Sequence, residues 1–211
     1  MERSSRAAKG KPRASSQAGA KAQKRAKILQ AAAEVFAERG YHATRISEIA
    51  RSAGVADGTI YLYFASKDAL MVALVEDAIG QFFEVLDEET RSLHTARDKL
   101  ARIVSLQLEL LESHRSLAEV FTVNLRETRR NLRSLVVPKF QQYLDRIADV
   151  VAEGQRRGEF RTDLPPMLVA RAVFGALDGV TLTWALGRAD MGGLRRAADV
   201  VARVVLEGIA R

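Results

Sequence analysis

Tyr61 and Tyr63 stand two residues apart in the segment Asp57-Gly58-Thr59-Ile60-Tyr61-Leu62-Tyr63-Phe64, shortly before Lys67. Phenols, a hydroxyl and an ammonium in so short a space suit recognition of a polyanion better than bond-making. A phenol can donate to a phosphate oxygen while its ring packs on sugar or on a thymine methyl group, and the bare backbone at Gly58 lets a helix N-terminus come close to phosphates. On a helical reading of 57–64, Ile60 and Phe64 lie four apart and face inward, which leaves Gly58, Thr59, Tyr61 and Tyr63 outward.

The element that must hold this segment is the helix before it. It is expected to start after Thr44, whose hydroxyl would cap it, with Ile46, Ile49, Ala50 and Ala53 inward. Gly54 ends it, because glycine takes positive φ at little steric cost and lets two helices only three or four residues apart cross steeply; Val55 plugs the corner. That layout is a helix-turn-helix, whose second helix enters the DNA major groove. The candidate DNA-binding residues are Thr44, Arg45, Ala56, Asp57, Gly58, Thr59, Tyr61, Tyr63 and Lys67. Asp57 either caps the second helix or accepts from a cytosine amino group. Lys67 opens the next helix, with Ser66 as N-cap, and is placed for a phosphate.

Charge is distributed accordingly. Residues 1–64 carry 12 Lys/Arg against 5 Asp/Glu, and residues 65–211 carry 21 of each, so the whole formal charge of +7 sits on the first part. A basic end on a neutral body is the footprint of a polyanion-binding domain. Residues 1–21 are rich in Ala, Ser, Gly, Lys and Arg and nearly free of large apolar side chains, and are expected to be a disordered basic arm. No apolar run of the secretory type follows the first basic residues. Cys is absent, which excludes disulfides and thiolate metal sites, and His42, His94 and His114 are too scattered for a metal set. No nucleophile and base at motif spacing and no glycine-rich phosphate loop occurs, so neither a catalytic residue nor a bound cofactor is expected.

From Ser66 onward helical periodicity is nearly unbroken, and an all-α fold follows, with helices at about 66–90, 96–113, 115–129, 132–157, 166–187 and 194–209. With three in the N-terminal domain the chain would have about nine. Met167–Leu186 is apolar over most of its circumference, but Arg171 and Asp178 lie near its middle, which argues against a membrane span. Its small residues, Ala172, Gly175, Ala176 and Gly179, favour close helix packing. With the amphipathic last helix, whose stripe is Leu194, Ala198, Val201, Val205 and Ile209, it can form half of a four-helix subunit interface. Polar residues set in apolar faces, Gln107, Thr122, Asn124, Arg126, Thr181, Thr183 and Trp184, suggest an apolar cavity with a few orienting groups.

Several of these runs carry a family resemblance. A first helix from about Gln23 to Arg39, with Ile28, Leu29, Ala32, Val35 and Phe36 inward, ends at Gly40-Tyr41. The run Thr44-x-x-x-x-Ile49-Ala50-x-x-Ala53-Gly54-Val55 follows, then Tyr61-x-Tyr63-Phe64 and Lys67. This resembles the DNA-binding domain of the TetR family of bacterial repressors, except that Ala56-Asp57 stands where many members have Ser or Thr. The Asn124–Thr128 run N-L-R-E-T and the Phe174–Trp184 run F-G-A-L-D-G-V-T-L-T-W are similar to the fatty-acid-degradation (FadR-type) repressors of that family, from about Ala26 to Gly208.

The resemblance implies a DNA-binding domain over 22–67 and a ligand-binding and dimerisation domain over 68–211. It also implies a cytoplasmic homodimer joined by the last two helices on a palindromic double-stranded operator, no membrane partner, and long-chain acyl-coenzyme A as the small-molecule effector. An acyl chain needs an apolar tunnel, for which Phe82, Phe83, Leu86, Ile103, Leu106, Leu110, Phe121, Phe174 and Leu177 are candidates. Gln107, Asn124, Asp178, Thr181 and Trp184 would orient it, and Arg126, Arg129, Arg130 and Arg133 would meet the coenzyme A phosphates. The rival readings are a regulator of another apolar effector such as a drug or free fatty acid, a coenzyme A-dependent enzyme, and a helical adaptor that never touches DNA.

Overall fold

The computed structural model describes residues 13–127, 130–187 and 193–211, with side chains over 18–126, 135–187 and 193–211. Ten α-helices follow in order: α1 (Arg13–Arg39), α2 (Ile46–Ala53), α3 (Asp57–Tyr61), α4 (Lys67–Thr90), α5 (Ala96–Ser113), α6 (Arg115–Glu119), the three-residue α7 (Leu125–Glu127), α8 (Arg130–Arg157), α9 (Pro166–Ala185) and α10 (Leu194–Ile209). No strand occurs among the described residues; Phe160 and Ala210 make one isolated bridge. The all-α expectation therefore holds, with two differences in the boundaries of the longer helices.

The first is at the N-terminus. Helix α1 begins at Arg13 instead of Gln23, so residues 13–21, expected in a disordered arm, are helical, while residues 1–12 lie outside the described part. The stretch from Arg13 to Ala22 holds four alanines and no proline, and alanine has the highest intrinsic helix propensity, so this segment extends the packed helix that begins near Ile28. The second is the helix expected over 115–129. It is interrupted by a π-helical turn, Val120–Asn124, between α6 and α7.

Two apolar cores result. The first joins Ile28, Leu29, Ala32 and Phe36 of α1 to Ile49 and Ala53 of α2, Ile60, Phe64, and Leu70, Met71, Leu74 and Val75 of α4. It also takes in Val120 from the π-turn, which is fully buried there. The second core joins Phe82 and Leu86 of α4 to α5, α8, α9 and α10. Helix α4 thus belongs to both. Helix α9 is by length and composition apolar enough to cross a membrane, with 28% of that window buried. Its inner side packs on α8 and its outer side presents the small residues Ala172, Gly175, Ala176 and Gly179.

Candidate nucleic-acid interface and ligand cavity

Gly54 caps α2 in the left-handed conformation (φ 65°), and the Val55 N–H returns to the Ala50 carbonyl at 2.9 Å, which makes the turn between α2 and α3. Helix α3 is shorter than the 57–64 expected: it ends at Tyr61, but the chain keeps turning, and the Phe64 N–H still reaches the Ile60 carbonyl at 2.9 Å. Ile60 and Phe64 are buried, as the four-residue spacing requires. Arg45, Ala56, Asp57, Gly58 and Tyr61 are exposed along one surface, with Thr59 and Tyr63 half-buried; Tyr61 is 56% exposed. Gly58 has no heavy atom within 4 Å of where a Cβ would stand, so the fold itself leaves room for a side chain there. Leu62, 79% exposed beside Tyr61, is an apolar group that the periodicity did not single out.

Three expected roles change. Thr44 does not cap α2; Arg45 is the N-cap, and its N–H is met by Glu48 Oε2 at 2.8 Å, a bond that holds the Glu48 carboxyl below its usual range. The Thr44 hydroxyl is buried and donates to the Gly40 carbonyl at 2.8 Å, so it closes a turn and points into the protein. Asp57 is not a cap either. Ala56 holds that position and Asp57 is the first helical residue, where a carboxylate is favoured by the helix dipole.

Lys67 departs furthest from its expected phosphate role. Its ammonium donates to the carbonyls of Tyr41 (2.8 Å), His42 (3.3 Å) and Thr44 (2.9 Å), and lies 4.6 Å from the centre of the Tyr41 ring. All three donors are engaged with the protein, and burial lowers its pKa. It binds the loop between α1 and α2 onto α4.

In the second half, α4, α5, the α6–π-turn–α7 segment, α8 and α9 border a half-open apolar cavity of about 360 Å³. Its wall includes Phe82, Gln107, Leu110, Phe121, Phe174, Asp178 and Thr181 from the expected set. Phe82, Phe140, Tyr143 and Phe174 pack ring on ring at one end, with Phe140 and Phe174 edge-to-face at 4.6 Å. There the Tyr143 hydroxyl donates to Gln107 Oε1, and burial raises the phenol's pKa. Val75, Ile79, Leu117, Leu125 and Val136 line the remainder. Asp178 lies on the cavity wall and pairs with Arg126, which also donates to the Thr122 carbonyl at 2.8 Å.

Other expected tunnel residues lie elsewhere. Leu106 and Leu177 are buried in the core behind the wall, while Leu86 and Ile103 border a separate polar crevice between α4, α5 and α8. Inward periodicity marks a residue as buried without telling which neighbour leaves a void. Asn124 faces away from the cavity toward Tyr41, and Trp184 packs under the Arg115 guanidinium at 4.9 Å. Arg129 lies outside the described residues, as do the side chains of Arg130 and Arg133. The sequence reading missed Phe140, Tyr143 and Val136, whose spacing of three and four along α8 was the available signal.

Residues 28–74 match the family described as bacterial regulatory proteins, tetR family, and residues 75–208 match the C-terminal region of YsiA-like proteins. The fatty acid metabolism regulator protein of Bacillus subtilis is 38% identical, over 78% of this chain and 86% of that protein. The chain belongs to the TetR family. Two solved structures of relatives are superposable on this TetR-family chain. One is the transcriptional regulator FadR of Bacillus subtilis in complex with stearoyl-CoA, with a TM-score of 0.82 and 35% identity over 87% of this chain and 98% of that one. The other is the fatty acid degradation regulator FadR of Bacillus halodurans, with a TM-score of 0.83 and 31% identity over 88% and 95%.

The surface that a second TetR-family copy could cover differs from the one expected. Leu194, Ala198, Val201 and Ile209 of α10 are buried within the protomer, mainly against α5. What α10 leaves outside is Val200 and Val204, 59% and 67% exposed, and α9 leaves Leu168 and its small residues. The expected stripe was real, but the protomer's own core claims it.

Proposed function

We propose that this chain is a cytoplasmic homodimeric repressor of fatty acid metabolism genes, bound to a palindromic operator and released by a long-chain acyl-coenzyme A. Residues 22–67 serve as the DNA-binding domain and residues 68–211 as the ligand and dimer domain. The observation that carries the reading is the half-open apolar cavity with aromatic and Gln107–Tyr143 walls, in a chain 35% identical to a regulator solved with stearoyl-CoA. An acyl chain fits such a wall by burial of apolar surface, while a phosphate or carboxylate head at its edge would have to exchange with Asp178 for the Arg126 guanidinium.

Release works by population shift: the effector must bind more tightly to the arrangement of the two recognition segments that does not fit the operator. A two-fold dimer joined through the outward faces of α9 and α10 doubles the contacts of one short helix and reads an inverted repeat. The test is operator binding by the full chain, on a duplex it selects from random-sequence DNA, titrated with stearoyl-coenzyme A and with stearate. Release by the thioester at lower concentration than by the acid supports the reading. Equal potency points instead to a free-acid sensor, and no release by either rejects the effector assignment.

A further inference from the structure

The π-turn Val120–Asn124 faces three surroundings at once. Phe121 and Thr122, continued by Leu125, line the cavity, whereas Val120 is buried in the first core. Asn124 turns from the cavity toward the helix-turn-helix. It is 2% exposed; its Oδ1 accepts the Tyr41 N–H at 2.7 Å and its Nδ2 donates to the Glu119 carbonyl at 3.3 Å. One amide therefore ties the start of the π-turn to the loop that leads into α2. Single π-turns within helices are frequent at functional sites.

The loop that Asn124 holds is tied down at several other points. Gly40 opens it at φ 77°, the Thr44 hydroxyl returns to the Gly40 carbonyl, and Lys67 gathers the carbonyls of Tyr41, His42 and Thr44. A displacement of Tyr41 is thus passed to α2 as a body. A second connection runs from Gln81 on the cavity wall to Asp77 (2.7 Å) and on to Arg25 of α1 (2.7 Å). Arg25 and Asp77 are 40% and 26% exposed, so water can replace their partners; the buried Asn124 has no such substitute.

We propose that Asn124 is the positioning residue that transmits occupation of the cavity to the helix-turn-helix: a chain lying against Phe121, Thr122 and Leu125 shifts the π-turn, and the Asn124–Tyr41 bond carries the shift into α2. This rests on the effector-released reading above. The measurement is the ratio of operator dissociation constants with and without saturating stearoyl-coenzyme A, for the full chain and two variants. The wild-type ratio should lie in the range of about 5 to 150. Asn124→Leu, lacking acceptor and donor, should bind stearoyl-coenzyme A as the wild type does but bring the ratio close to one. Asn124→Asp, which keeps the acceptor for Tyr41, should retain most of it.

A wild-type ratio of one would reject the effector reading and this inference with it. A normal wild-type ratio retained in Asn124→Leu would overturn Asn124 alone. If Asn124→Leu does not fold, amide exchange in the wild type decides: the Tyr41 N–H should change its protection by about tenfold on adding stearoyl-coenzyme A, and an unchanged Tyr41 overturns the proposal.

Discussion

The two halves of this chain carry their chemistry in opposite ways. In the first half the surface proposed for DNA is one short stretch, Ala56 to Tyr63, whose outward residues follow one another on α3 and the turn after it, interrupted only by the buried Ile60. In the body the cavity proposed for the ligand is assembled from α4, α5, the α6–π-turn–α7 segment, α8 and α9, and its wall residues are spread from Val75 to Thr181. Electrostatics divide along the same line, with the net positive charge confined to residues 1–64. A surface made by one local element can be inspected in the sequence; a void is a property of several elements together.

The contrast yields predictions on each side of it. The largest effect is expected where the halves depend on each other through the dimer. Gly179→Arg, on the outer face of α9 where a Cβ would meet nothing, should leave a helical monomer whose operator affinity is lower by up to about 10⁴-fold, since the second half-site is lost. Sedimentation together with operator titration checks this, and a variant that stays dimeric would move the interface off α9. Next is Lys67→Met, which removes three charge-assisted bonds from the loop between α1 and α2. Denaturant unfolding should show a loss of about 3 kcal/mol, with the salt dependence of operator binding unaltered. Unchanged stability with a salt slope smaller by about one per site would return Lys67 to the phosphates.

Gly58→Leu tests the opposite combination on the same domain. Because the space at Gly58 is open, thermal stability should hold while operator binding weakens by about 1 kcal/mol per subunit. Retained affinity would show that α3 does not enter the groove through its first turn. The smallest effect is expected in the body. Tyr143→Phe takes the donor from Gln107 Oε1 inside the cavity wall and should cost about 1 kcal/mol, read in a chain of this size as a fall of about 2–4 °C in Tm. Operator affinity without effector should not change.

How far the sequence could be read follows from the same contrast. The helix-turn-helix was legible because Gly54, the four-residue spacing of Ile60 and Phe64, and the outward Tyr61 all act within one or two turns of backbone. Thr44, Asn124 and Lys67 were legible as unusual residues but not in their roles. A polar side chain beside an apolar run signals a hydrogen bond without naming its partner, and for Asn124 the partner lies 83 positions away. The α10 stripe shows the same ambiguity in apolar form. Its periodicity required a covering surface, and the covering surface is α5 of the same protomer.

The order of the helices, the αL corner at Gly54, the uneven charge and the absence of cysteine were all fixed by local composition and backbone preference, which need no distant contact. Which apolar side chains border a cavity, which face of α9 and α10 stays open, and that Lys67 and Asn124 grip the loop ahead of α2 were settled by long-range packing. Such contacts depend on where a whole helix lies against another, and spacing along the chain carries no record of that distance.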